Sequence, residues 1–296
     1  MKERISLWQL FLVLIIFLVG SAVVVGAGEE AKQNYWLAEL IALSIGVIIV
    51  VGYFFLLSRI PGKNIFELIE TGFGKVVGKA IVFFYIIYFI YIAGRVLRDF
   101  GELILTTILP LTPVEIIPLV MSLLLAYALY LGIEVFARMT EVLGPFILLA
   151  LFLVGVFLFI GGDLEFQLLL PVLEDGFGPV IDAVFPTMVT FPYGELIVCT
   201  ILMTQTNHFH YVPKVGVAAV IISGLLITYS NVIQIVTLGV DIKVRSSFPL
   251  LVAAREIEVF YFFERVDIIV VFILIFGIMV NAGVFFYCGL KGLEQL

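Results

Sequence analysis

Long, unbroken apolar runs constrain this chain more than any other feature of its sequence. Residues 142–160 and 266–280 are almost wholly apolar, and further runs of this kind recur along the chain between short charged connections. An α-helix crosses a bilayer with about 20 mostly apolar residues. Backbone inside a bilayer must satisfy its own hydrogen bonds, which leaves helices or a closed barrel. Barrel strands alternate lipid-facing and lumen-facing side chains, and these runs do not alternate. The expected fold class is therefore all-α integral membrane. Composition agrees, with 63% hydrophobic and 13% charged residues over 296 positions, where soluble domains hold about half and a quarter.

Eight transmembrane helices are predicted, at 7–28, 35–57, 80–108, 114–131, 142–161, 180–204, 212–239 and 266–290. Lys2 and Arg4 before the first run, with Val25-Gly26-Ala27 after it, imitate a signal peptide. The run is longer than a usual signal core and many spans follow, so it is read as the first span. Short cytoplasmic loops are enriched in Lys and Arg. Lys2, Arg4, Arg59, Lys63, Lys75, Lys79, Arg138, Lys214 and Lys291 fall on the N-terminal side, against Lys32, Lys243, Arg245, Arg255 and Arg265 on the other. Both termini are accordingly expected in the cytoplasm. The connection holding Asp163, Glu165, Glu174 and Asp175 is then external, either an acidic vestibule or an ordinary solvated loop. Residues 241–265 are too polar to cross the membrane, and 249–263 within them form a pattern of their own. With Leu250, Leu251, Ala254, Ile257 and Tyr261 on one side and Arg255, Glu256 and Glu258 elsewhere, they read as an amphipathic outer helix.

Polar and helix-breaking residues inside the spans are the candidates for function. In the sixth, Thr190-Phe191-Pro192-Tyr193-Gly194-Glu195 sets a proline, a glycine and a carboxylate at the centre of a membrane segment. Proline removes a helix hydrogen bond and clashes with the preceding turn, so a broken helix is expected. In the first, Gly20-Ser21 is either a small-residue contact for a neighbouring helix or a second unwound point. Breaks five spans apart mark transporters built from inverted five-helix repeats, here 1–161 and a partial second repeat 162–296. Half-helix N-termini suit a carboxylate and freed carbonyls suit an ammonium group, together a site for a zwitterionic amino acid. The third span adds Tyr85, Tyr88, Tyr91, Arg95, Arg98 and Glu102 on one helical stripe. Arg95 can pair with Asp99, and Arg98 with Glu102, so the stripe is either an inward-facing polar wall or a self-compensated ladder of ion pairs. Glu195 is read as a cation or proton site, as a partner for one of these arginines, or as a neutral carboxyl bonded to a neighbouring helix. Asn281 and Tyr287 in the eighth span suit helix–helix hydrogen bonds.

Other classes of function find no support. The net charge of −7 is spread over loops, which gives no nucleic-acid footprint. Cys199 and Cys288 lie in apolar segments and read as small core groups rather than a disulfide. His208 and His210 lack a third ligand, so no metal is expected, and with no catalytic or nucleotide-binding motif neither an enzyme nor a cofactor is expected.

Ile5-Ser6-Leu7-Trp8-Gln9-Leu10 with Gly20-Ser21, Glu30-Ala31-Lys32-Gln33 with Trp36, Phe191-Pro192-Tyr193-Gly194-Glu195, and Phe263-Glu264-Arg265-Val266-Asp267 resemble the B subunit of nutrient germinant receptors. These endospore germination permeases belong to the amino acid–polyamine–organocation superfamily. The resemblance implies a multi-pass protein of the spore inner membrane, or of the bacterial cell membrane. It implies binding of a small germinant, typically an amino acid, action with an A and a C subunit, and ion release on binding. By position, the ligand would lie between Gly20, Ser21 and Phe191, Pro192, Tyr193, Gly194 and Glu195, with Tyr91, Arg95 and Asn281 from the third and eighth spans as walls. Family members have ten spans, so the second repeat is expected to be incomplete here. A proton- or sodium-coupled amino acid transporter is the alternative on the same architecture.

Overall fold

The computed structural model of the protein describes residues 4–24, 26–60, 62–206, 208–257 and 267–296. Among these residues the fold is wholly helical, and the only β-type pairing is an isolated bridge between Ile5 and Thr206. Six helical segments are long and apolar enough to cross a membrane: Glu29–Ser58, Ile65–Thr107, Ile133–Gly161, Gly178–Met203, Phe209–Arg245 and Asp267–Gln295. The other two expected spans are shorter helices, Leu7–Val24 and Ile116–Tyr130. This is a multi-pass membrane protein.

The long helices are named α1 (Leu7–Val24), α2 (Tyr35–Ser58), α3 (Ile65–Thr107), α4 (Ile116–Tyr130) and α5 (Ile133–Gly161). The sixth span begins with α6 (Gly178–Asp182) and ends with α7 (Cys199–Met203). Then come α8 (Val212–Arg245), a short α9 (Pro249–Arg255) and α10 (Asp267–Gln295).

Local sequence explains several boundaries. The Ser6-x-x-Gln9 pattern starts α1: the Ser6 amide donates to Gln9 Oε1 at 2.9 Å and the Gln9 amide to Ser6 Oγ at 3.1 Å, a reciprocal satisfaction of two orphan donors. Asn64 and Glu67 do the same for α3, which is why that helix starts well before residue 80. Gly74, at φ 78° and ψ 168°, then separates its first turns from the membrane-crossing part, and Gly239, at φ 72° and ψ 167°, divides α8 in the same way. Such angles strongly favour glycine.

The amphipathic segment is helical over Pro249–Arg255. Leu250, Leu251, Ala254 and Ile257 are buried, while Arg255 and Glu256 are exposed. Glu258 and Tyr261, and all of the Phe263 to Asp267 motif except Asp267, lie outside the described residues.

Helix pairing sets the stage for the site. The most extensive contact is between α3 and α10; α2 packs along α8, and α1 lies among α8, α10 and α5. A Cβ on Gly20 would run into the backbone of Gly277, and one on Gly277 into that of Gly20. Two backbones approach this closely only through glycine, the usual device where helices meet in lipid. The possible unwound point at Gly20-Ser21 is therefore corrected: α1 runs helical through both residues to Val24, and the glycine serves packing.

Candidate functional site

The sixth span is broken twice. Phe185 (φ −117°, ψ 127°) and Phe191 (φ −128°, ψ 124°) have extended backbone, and each precedes a proline, Pro186 and Pro192. The proline ring crowds the residue before it out of the helical region. Only the second break was read from the sequence, although Phe185-Pro186 carries the same signal six residues earlier. Between α6 and α7 the chain winds loosely through Ala183–Tyr193 and then tightly through Gly194–Ile197.

Around the second break, parts of the chain remote in sequence converge. Ser21, Arg95, Asp99, Phe191 and Glu195 line one cavity of about 20 Å³, closed by Ile92, Val96 and Ile278. That volume admits about one water, so the expected residues meet but leave no room for a ligand in this conformation. Glu195 is 7% exposed. Arg95 contributes its charge to the same cavity, but no ion pair within 4 Å joins it to Glu195 or to Asp99 among the described residues. The expected Arg95–Asp99 ion pair is thus not formed among the described residues; both residues border the cavity, Arg95 exposed and Asp99 half-buried. Ser21 Oγ donates to the carbonyls of Phe17 and Leu18, at 3.1 and 3.3 Å.

The remaining expected residues lie elsewhere. Asn281 Nδ2 donates to the Phe17 carbonyl at 3.2 Å, an α10-to-α1 bond, and its Oδ1 is buried with no partner among the described residues. Gly20 faces Gly277 rather than the cavity. Tyr91 is 65% exposed, and Arg98 bonds Glu102 at 3.0 Å on the surface of the chain. Tyr85 and Tyr88 border a separate, open groove of about 600 Å³ beside Thr190 and Gly194. The stripe on α3 is therefore divided, and the face of that helix turned to α10 is apolar, through Val82, Ile86 and Phe89. Cys199 and Cys288 are buried free thiols, as expected of core groups.

One buried cluster was missed. Glu39, fully buried on α2, accepts from Tyr193 Oη at 2.6 Å and from Tyr35 Oη at 3.1 Å. Buried carboxyls persist when hydrogen-bonded in this way. Tyr193 fits because a Cβ on Gly46 would enter its ring and one on Gly224 would come within 2.6 Å of its hydroxyl. A broken span is thus anchored to α2 by the residue next to Pro192. The signal was in the sequence as Tyr35-x-x-x-Glu39, a carboxylate alone in an apolar span with a tyrosine one helical turn before it.

Comparison with known proteins decides the family. The sequence model of the spore germination protein family matches residues 4–296. The chain belongs to the spore germination permease family. It is 34% identical to Spore germination protein KB of Bacillus subtilis over 299 aligned residues, covering 100% of this chain and 79% of that protein. Spore germination protein YndE of the same organism is 24% identical, with 99% and 81% of the two chains covered. Spore germination protein XB of Bacillus anthracis is 20% identical, over 86% and 70%. The family expected from the sequence is the family found, and its members are permease-like membrane proteins, not enzymes. In this germination permease, the motif Phe191 to Glu195 therefore spans a break, a cavity wall and an anchor within five residues.

Proposed function

We propose that this chain is the membrane subunit of a germinant receptor that binds a small nutrient, an amino acid, between α1 and the broken sixth span, and couples binding to ion release. The observation that carries this reading is the meeting of Ser21, Arg95, Phe191 and Glu195 around one cavity. An arginine and a carboxylate, with backbone freed at Phe191, offer a zwitterion a partner for each of its charges. The cavity holds only about one water, so ligand entry requires the sixth span to move, and a ligand that favours the open form shifts the population toward it.

The pairing of helices supports an inverted-repeat plan, with 1–161 as the first repeat and 162–296 as part of the second. Two of the first three spans pack most extensively against the span five later, α2 against α8 and α3 against α10, while α1 lies mainly among α8, α10 and α5 and touches the sixth span only slightly. On this plan both termini are cytoplasmic, in the spore inner membrane, and an A and a C subunit complete the receptor. A coupled amino acid transporter is the second reading, favoured by the same pairing.

Glu195→Gln tests the proposal. Shape is preserved and the charge removed, so the variant is expected to accumulate normally in the membrane and to lose about 10- to 150-fold in ligand affinity, the equivalent of roughly 1.5–3 kcal/mol for a hydrogen bond to a charged group. Binding across a panel of amino acids, sugars and nucleosides checks it, and parental affinity in the variant would refute the site. Co-purification of A and C subunits supports a receptor. Ion-coupled uptake by the chain alone in proteoliposomes supports a transporter.

A further inference from the structure

A cleft lined by charged residues lies apart from that cavity, at the other end of α1 from Ser6. It measures about 300 Å³ and shares no residue with the Ser21–Glu195 cavity, and its size is that of a small-molecule site. One wall is backbone, at Gly26, Ala27 and Gly28, where Gly28 takes φ 80°. Lys243, Arg245, Glu29 and Tyr35 also line the cleft.

Three facts make it more than a surface dent. Lys243 lies with its ammonium 4.2 Å from the centroid of the Tyr35 ring, and neither it nor Arg245 has a carboxylate within 4 Å among the described residues. Lys32, also at the cleft, is already engaged by Asp175 at 2.9 Å. The surrounding chain is held in place: Gln33 Nε2 donates to the Pro171 carbonyl at 3.1 Å, and Asn34 Oδ1 accepts the Leu173 amide at 3.0 Å.

We propose that this cleft is a second binding site, for a small zwitterion whose carboxylate meets Lys243 and Arg245 and whose ammonium meets Glu29. Two cations with no carboxylate within 4 Å among the described residues, lining the same pocket as the carboxylate of Glu29, match the charge pattern of such a ligand. A purely anionic ligand would leave Glu29 facing it. The cleft also communicates with the break in the sixth span. Tyr35 forms part of its lining and bonds Glu39, which bonds Tyr193 beside Pro192. Occupancy therefore bears on the hinge through two hydrogen bonds.

Glycine is the simplest probe, with acetate and methylamine as half-ligands, measured by saturation-transfer NMR on the full chain in phosphatidylcholine nanodiscs. Glycine is expected to bind more tightly than either half-ligand. Lys243→Met should weaken glycine and acetate about tenfold or more, the loss of one charge-assisted bond, and Lys243→Arg should restore both. Glu29→Gln should weaken glycine and methylamine but not acetate. In a Glu195→Gln background, where the receptor site is weakened, the changes caused by Lys243→Met and Glu29→Gln should still appear, which separates this site from the receptor proposal. Four results would overturn the inference: no glycine binding to the parent chain, parental binding by Lys243→Met, loss in Lys243→Arg as well, or loss of the whole glycine signal in Glu195→Gln.

Discussion

The first and sixth spans began as twins and ended as opposites. Each carries a glycine and a polar residue amid apolar sequence, yet α1 is continuous from Leu7 to Val24 while the sixth span has extended backbone at Phe185 and Phe191. The difference lies in proline. A glycine keeps its amide and can stay helical, so in lipid its small size is used for close approach, here Gly20 against Gly277. Proline removes the amide and displaces the residue before it. A membrane helix that must open at a fixed point needs the second device.

Forcing bulk into the first span should have the largest effect. In Gly20→Leu the new side chain meets the Gly277 backbone, which cannot give way as a side-chain tip could. A destabilisation of about 3 kcal/mol or more is expected, read as loss of the protein from the membrane fraction. Gly52→Leu is the control: no atom lies within 4 Å of a Cβ there, and normal accumulation is expected. Equal accumulation of the two variants would mean that α1 and α10 do not meet through glycine.

Pro192→Ala attacks the opposite device. Alanine restores the amide and frees Phe191 to become helical, and proline disfavours helix by about 3 kcal/mol relative to alanine. A shift of that order toward a closed, continuous helix would lower ligand affinity by about 100-fold, with the protein still present in the membrane. Unchanged affinity would make the break a passive kink.

The outcome also shows what was legible. Among the described residues the apolar runs fall on six segments long and apolar enough to cross a membrane and on two shorter helices, because length and composition suffice for that, while two helix starts lie well before the apolar core, at Ile65, where Asn64 caps the helix, and at Ile133. The cavity residues Ser21, Arg95, Phe191 and Glu195 were readable because polar groups are rare inside spans. Which polar residues of the stripe border the cavity was not, since Arg95 and Tyr91 lie one helical turn apart and both are exposed, yet of the two it is Arg95 that lines the cavity. Glu39 went unread because its meaning depends on Tyr193, which is 154 residues away in sequence.

Tyr193→Phe sharpens the comparison at the anchor. The ring stays between Gly46 and Gly224, so packing is preserved and only the 2.6 Å bond to Glu39 is lost. An unsatisfied buried oxygen costs about 1–3 kcal/mol. The expected result is a modestly less stable protein whose sixth span exchanges amide hydrogens faster around 189–195. A Glu39→Gln exchange retains an acceptor for one tyrosine and should cost less. Exchange unchanged in Tyr193→Phe would detach the anchor from the hinge.

Ser21→Ala is the smallest change and the finest discriminator. In the closed conformation Ser21 Oγ spends its hydrogen on carbonyls of its own helix, those of Phe17 and Leu18, and such bonds contribute little to holding a helix in place. Removing it should alter stability by less than about 1 kcal/mol. The hydroxyl nevertheless borders the cavity with Glu195, and α1, being unbroken there, has no freed backbone to offer a ligand at that depth. If α1 contributes to recognition at this point, it does so through this side chain, and Ser21→Ala should weaken ligand binding about 2- to 10-fold, the value of one neutral hydrogen bond, at normal accumulation. Parental affinity in that variant would leave the first span as scaffold alone, with recognition carried by the broken span and Arg95.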